Sequence, residues 1–167
     1  MKRWLCLLFV SLLTAPLEAA DLKPLPMRPA PVLQLPGLDG VDMNLRQLRG
    51  KVVLVNFWAV WCPPCRKEMP SMARLMTKLA DKPFAILGVN EGESPDEISA
   101  FLKQVPVNFP ILLDSEGEHL KPWQVFAFPT SYVVDKQGRL RLGLFGSIEW
   151  DSPEAIAQLG KLLAEAD

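Results

Sequence analysis

The chain has 167 residues, of which 49% are apolar and 22% charged, with a formal net charge of −1. That length points to one domain able to bury its own core, and the composition excludes a disordered chain. The charge balance holds no basic stripe, which argues against nucleic acid as a partner.

The chain opens with Lys2 and Arg3, an apolar run from Trp4 to Leu13, and the small residues Ala19 and Ala20. About ten apolar residues are too few to cross a ~30 Å bilayer core as a helix. Residues 1–20 are therefore predicted to be a cleaved signal peptide that sends the remainder to the periplasm. The alternative is an uncleaved segment anchoring the chain to the inner membrane. Cys6 would leave with the signal, so the mature chain keeps only Cys62 and Cys65. One such pair is not the spaced set of a disulfide framework.

Residues 21–31 contain Pro24, Pro26, Pro29 and Pro31 and read as a Pro-rich linker or surface strap in which no helix can form. The folded domain is predicted to run over residues 32–167. It begins with a short edge strand from Val32 to Leu35 and a turn at Leu38-Asp39-Gly40. Asn44 can cap a helical turn through Leu45 and Leu48, closed by Gly50. Val52 to Trp58 is a continuous apolar run, the pattern of a strand buried on both faces. A helix follows, with Met69, Met72, Leu75, Met76 and Leu79 spaced as one stripe, read as core packing.

Phe84 to Val89 reads as a second buried strand, and Ser94-Pro95-Asp96-Glu97 as a capped helix start. A short strand is predicted at Ile111 to Leu113 and a short helix between Gly117 and Val125. Two strands flank the hairpin turn Asp135-Lys136-Gln137-Gly138. A final helix starts after Ser152. The fold class is α/β, a mixed central sheet flanked by helices.

The chemistry is predicted at Trp61-Cys62-Pro63-Pro64-Cys65, between a buried strand and a helix. A cysteine at a helix start faces unpaired amides and the positive end of the dipole, which stabilise its thiolate. Cys62 is accordingly the predicted nucleophile, and Cys65, one turn deeper, the thiol that resolves the mixed disulfide. Pro63 and Pro64 stiffen the turn and suit helix entry. A zinc half-site and a purely structural disulfide are the competing readings. Zinc would need two more ligands, and the mature chain offers only His119 and carboxylates. Bridging residues so close in sequence restrains little chain entropy. No metal and no cofactor is expected.

Phe57-Trp58-Ala59-Val60-Trp61-Cys62-Pro63-Pro64-Cys65, with Pro70 five residues beyond, resembles the thioredoxin family. More closely it resembles the exported TlpA/ResA branch, which includes the cytochrome c maturation thioredoxins. The resemblance runs from about Val32 to the C-terminus and implies a thioredoxin fold with an N-terminal β-hairpin extension. It places an active-site glutamate at Glu68 and a cis-proline loop at Phe128-Pro129-Thr130. Substrate would lie against Trp61, Pro63, Pro64, Phe128 and Pro129. Asn56 stands where cytoplasmic thioredoxin has a buried Asp, and an amide cannot take a proton. That departure raises the interest of Glu68, expected both to repel a thiolate and to accept the proton of Cys65. Glu91 and Glu93 are read as loop charges and His119 as a surface residue.

Strong oxidants of this fold carry a His between the cysteines. Two prolines stand there instead, so the expected activity is protein-disulfide reduction. The resemblance implies electrons from a membrane thiol donor of the DsbD or CcdA type. Implied clients are protein disulfides, for example in cytochrome c or metal-site assembly. The expected state is a monomer. A thiol peroxidase and a non-catalytic copper or haem delivery module are the alternatives. The peroxidase wants a Thr upstream of its cysteine, absent from Trp58-Ala59-Val60-Trp61.

Overall fold

The computed structural model describes residues 21–166. In chain order its elements are β1 (Lys23–Pro29), β2 (Gln34–Pro36), β3 (Asp42–Asn44), a 3-10 turn (Leu45–Leu48), β4 (Val52–Trp58) and α1 (Pro63–Lys78). They continue with β5 (Phe84–Glu91), α2 (Pro95–Leu102), β6 (Ile111–Asp114), β7 (Thr130–Val134), β8 (Arg139–Phe145) and α3 (Pro153–Ala164).

Six strands form one sheet in the order β1-β8-β7-β4-β5-β6. β4, β5 and β6 run parallel, while β7, β8 and β1 are antiparallel to their neighbours. The fold is thus α/β with a mixed sheet, as the element order implied. Every residue of β4 is buried, because it is the strand the sheet encloses on both sides.

The alternation of β4 divides the core. Val52, Leu54 and Trp58 face Met69, Met72 and Leu75 of α1, Ile98 and Phe101 of α2, and Leu159 and Leu162 of α3. Val53, Val55 and Phe57 face Leu33, Leu35, Leu45, Trp123 and Tyr132. All three α-helices therefore pack on one face, and not on both as the alternating element order leads one to expect. The other is closed by the β2–β3 hairpin, the 3-10 turn and the segment around Trp123.

Two local expectations change. The residues from Gly117 to Val125 form successive turns, not a helix. Pro122 has no amide to donate, and Gln124 takes a left-handed φ of 56°. Residues 21–31 hold no free linker: β1 pairs with β8 as the sheet's edge, with an irregular register between Pro24 and Arg28. An edge strand tolerates prolines because half of its amides have no ladder to join. The hairpin is β2–β3, pairing Leu35 with Met43. The segment 1–20, with the expected signal peptide, lies outside the described residues.

Capping follows the sequence closely. Asn44 and Gln47 form a capping box on the 3-10 turn, Ser94 and Glu97 form one on α2, and Ser152 caps α3.

Candidate active site

β4 ends at Trp58, and the chain turns through Ala59 to Trp61 into α1. Cys62 is the N-cap of that helix, with extended backbone angles. Its Sγ accepts a hydrogen bond from the Cys65 amide at 3.3 Å, one of the donors a helix start leaves unpaired. Cys62 and Cys65 are joined as a disulfide with Cα atoms 5.4 Å apart. Pro63 and Pro64 occupy the first helical positions, where a missing amide costs no intrahelical bond.

Around the pair the surface is aromatic. Trp61 is 66% exposed, and its ring meets Phe128 edge-on at 5.8 Å between centroids. The Phe128–Pro129 peptide is cis, as the resemblance implied, and leads straight into β7. Thr130 Oγ1 ties this loop by donating to the Ala127 carbonyl at 2.8 Å. Phe126, two residues before Phe128, is 87% exposed.

Beneath the cysteines lies a buried polar cluster. Glu68 is one helical turn beyond Cys65 and only 1% exposed, so it is not a solvated surface charge. Its Oε1 accepts from Asn56 Nδ2 at 2.8 Å and its Oε2 from Trp150 Nε1 at 3.2 Å. Asn56 Nδ2 also donates to Ser131 Oγ on β7 at 2.9 Å. Ser71 Oγ donates to the Glu68 carbonyl and accepts the Trp150 amide. Three separate parts of the chain meet at one carboxyl, and β7 joins through Asn56.

Burial pushes the Glu68 carboxyl up to about 8, against the lowering effect of hydrogen bonds from Asn56, Trp150 and the Ile148 backbone. Among the described residues no cation pairs with it. In this oxidised form burial therefore favours the protonated carboxyl. A small cleft of about 140 Å³, lined by Lys67, Glu68, Ser147, Ile148 and Glu149, opens beside it. Asn56 Oδ1 has no hydrogen-bond partner among the described residues.

Cys62, Cys65, Trp61, Pro63, Pro64, Glu68, Phe128 and Pro129 thus come from two loops and one helix. Sequence reasoning missed Ser71, three residues along α1 with its hydroxyl on the Glu68 carbonyl, Trp150, which reaches the carboxyl from a distant segment, and Ser131, which joins through Asn56. It also misread Glu93, whose carboxylate takes the Val60 amide at 2.8 and 2.7 Å from its two oxygens. His119 is not a free surface residue: its ring is 16% exposed and sits 3.1 Å from Asp114 Oδ1. Among the described residues no group of three or more His, Cys, Asp or Glu could hold a metal ion.

The AhpC/TSA family model matches residues 26–142. The thiol-disulfide oxidoreductase ResA of Bacillus thuringiensis subsp. konkukian is 37% identical over 111 residues. That match takes in 66% of this chain and 64% of the relative, so the chain spans a little under two thirds of its length. The ResA of Bacillus cereus strain ZK / E33L is 34% identical over 129 residues, 77% of this chain and 75% of the relative. A solved Chlorobium tepidum structure, given as a candidate thiol:disulfide interchange protein DsbE, superposes with a TM-score of 0.77 at 31% identity. It covers 86% of this chain and the whole of its own. With a matched stretch that holds β4, the cysteine pair, the cis-proline loop and most of β8, the chain belongs to the thioredoxin-like AhpC/TSA family.

Proposed function

We propose that this protein is a thiol–disulfide oxidoreductase that reduces protein disulfides outside the cytoplasm. The observation that carries the reading is the Cys62–Cys65 disulfide at the start of α1, with Cys62 Sγ held by a helix amide. The ResA relatives named for this activity support it.

In the forward direction the Cys62 thiolate attacks one sulfur of a client disulfide. A mixed disulfide forms and the first client thiolate leaves. Cys65 then attacks Cys62 Sγ, the second client thiolate leaves, and the protein is left in the disulfide form described above. Two electrons pass from the dithiol to the client. A dithiol donor restores the pair by the reverse sequence.

Glu68 handles the proton. It lies three residues after Cys65 on α1, a spacing that places side chains about 5–6 Å apart at Cβ. A carboxyl near 8 is close to the ordinary thiol value of about 8.5, so a proton moves between them at little cost. When the disulfide is reduced, the leaving Cys65 thiolate takes the proton stored on Glu68. When a client is attacked, Cys65 returns it and becomes the resolving nucleophile.

The cis-proline loop and the exposed Trp61 supply the docking edge for an extended client segment. Direction follows from Pro63 and Pro64, which put no cation between the cysteines to stabilise a thiolate. The expected signal at residues 1–20 supports a periplasmic place, with electrons from a DsbD- or CcdA-type donor. Cytochrome c or metal-site assembly would supply the clients.

The test is reduction of a peptide disulfide by the pre-reduced protein, beside consumption of hydrogen peroxide. Fast reduction with slow peroxide turnover is expected. Fast peroxide turnover without disulfide reduction would make the protein a thiol peroxidase instead.

A further inference from the structure

Glu93 sits between β5 and α2, in a loop with no cysteine. Its carboxylate reaches across to the β4–α1 turn and accepts the Val60 amide with both oxygens, at 2.8 and 2.7 Å. Oε2 also accepts from Asn90 Nδ2 at 2.6 Å, and Asn90 is 1% exposed. The mount is rigid on both sides. Before Glu93, Gly92 turns with a φ of 76° and donates its amide to the Asp114 carbonyl. After it, Ser94 and Glu97 form the capping box that starts α2.

Val60 is two residues before Cys62, and the Cys62 amide closes onto the Ala59 carbonyl at 3.2 Å. The whole Ala59–Cys62 turn therefore hangs from the Glu93 carboxylate. Bonded geometry then keeps a carboxylate oxygen within about 10 Å of the Cys62 amide nitrogen. That is comparable to a Debye length at physiological salt, and a part-buried carboxylate is screened less than an exposed one.

We infer that Glu93 is a positioning residue for Cys62, clamping the turn that carries the sulfur and setting a negative charge beside the start of α1. The clamp keeps Trp61 against Phe128 and Sγ over the helix amides. The charge works against the helix dipole and disfavours the Cys62 thiolate. A less stabilised thiolate favours the oxidised form of the pair and so makes a stronger reductant. This rests on the proposal that Cys62 is the attacking thiol.

Glu93→Gln and Glu93→Ala separate charge from clamp. A glutamine keeps an oxygen for the Val60 amide. Its own N–H can donate to Asn90 Oδ1, which has no partner among the described residues, once that amide rotates. An alanine removes both. Two measurements are made on each variant and its parent: the pH profile of Cys62 alkylation in a Cys65→Ser background, and the rate of peptide-disulfide reduction in the full dithiol protein.

Both variants should move the alkylation profile to lower pH by about half a unit. The reduction rate should fall about tenfold in Glu93→Ala and stay within about twofold of the parent in Glu93→Gln. Alkylation profiles that overlay the parent in both variants overturn the inference. So does a rate loss in Glu93→Ala that Glu93→Gln fails to rescue, or an unchanged rate in Glu93→Ala. A parent that neither reduces the peptide nor alkylates at Cys62 with a thiolate-like profile overturns the nucleophile assignment together with the inference. An active parent beside unresponsive variants overturns the inference alone.

Discussion

Glu68 and Asp135 are carboxylates buried at opposite ends of the β4–β7 pair, 1% and 2% exposed. Burial pushes both upward. At Asp135 it is overcome by the Arg139 backbone and side chain and by Arg141, and the carboxyl is held below its ordinary range. Arg139 Nε and Arg141 Nη1 stand 2.8 and 3.2 Å from Oδ2, and Arg141 continues to Glu165 at 2.6 Å. Glu68 receives only neutral donors and stays protonated through neutral pH. The lesson is that depth in the fold does not set the charge state; a cation within reach does. One end of the sheet uses a permanent charge to tie the β7–β8 hairpin to the end of α3. The other keeps a proton that can leave.

The largest expected effect separates the ends most sharply. Cys62→Ser should reduce disulfide exchange to the level seen without protein, while leaving the Asp135 cluster intact. Cys65→Ser should leave a mixed disulfide that can be isolated with its client. Equal alkylation of the two thiols at pH 6 in the reduced protein would break the assignment.

Next comes the pH dependence that Glu68 imposes. Its folded pKa is raised from 4.5 to about 8, so the stability it contributes is fully present below 4.5. That contribution is lost as pH rises toward 8 and levels off above it. Glu68→Gln removes the slope. In the oxidised protein the variant should gain on the parent by a few kcal/mol between pH 4 and pH 9, read by urea unfolding. Its reduction rate should fall about tenfold, equivalent to ~1.4 kcal/mol of barrier. Parallel stability curves would show that Glu68 is ionised in the fold.

Arg141→Met tests the other end with the opposite sign. The carboxylate stability at Asp135 is present above its unfolded value and lost as pH falls through the depressed folded one. Removing Arg141 should cost about 2 kcal/mol at pH 7 and less at pH 3, with the exchange rate unchanged. Smallest is Trp61→Ala. The ring is largely exposed, so the melting temperature should hold while the client KM rises about threefold. A matching fall in kcat would show that Trp61 shapes the chemistry as well as docking.

Much of this was legible in the sequence because it is local. The apolar run of β4, the Ser94-Pro95 cap and the Cys62–Cys65 spacing each show within a few residues, and each element forms where it was read. The 117–125 segment reads as a short helix, yet Pro122 and the left-handed Gln124 stop one. β1 was hidden because prolines speak against a strand unless it lies on an edge, and edges are a property of the assembled sheet. The Glu68 cluster was least legible. Its direct partners Asn56 and Trp150 lie 12 and 82 positions away along the chain, with Ser131 joined through Asn56, and nothing local marks them as neighbours. Glu93 reads as a loop charge because its target is a backbone amide, which no side-chain pattern announces.

The prolines of β1 carry one further consequence. An open strand edge invites a second chain to add to it. Three of the seven residues of β1 have no amide to offer an incoming strand. At the far edge, β6 is met by the Gly37 bridge to Leu112 and by the Leu38 amide on the Ile111 carbonyl. Both margins of the sheet are thereby poor templates for growth, so the aromatic surface at Trp61 and Phe126 can stay exposed without the molecule aggregating through its strands.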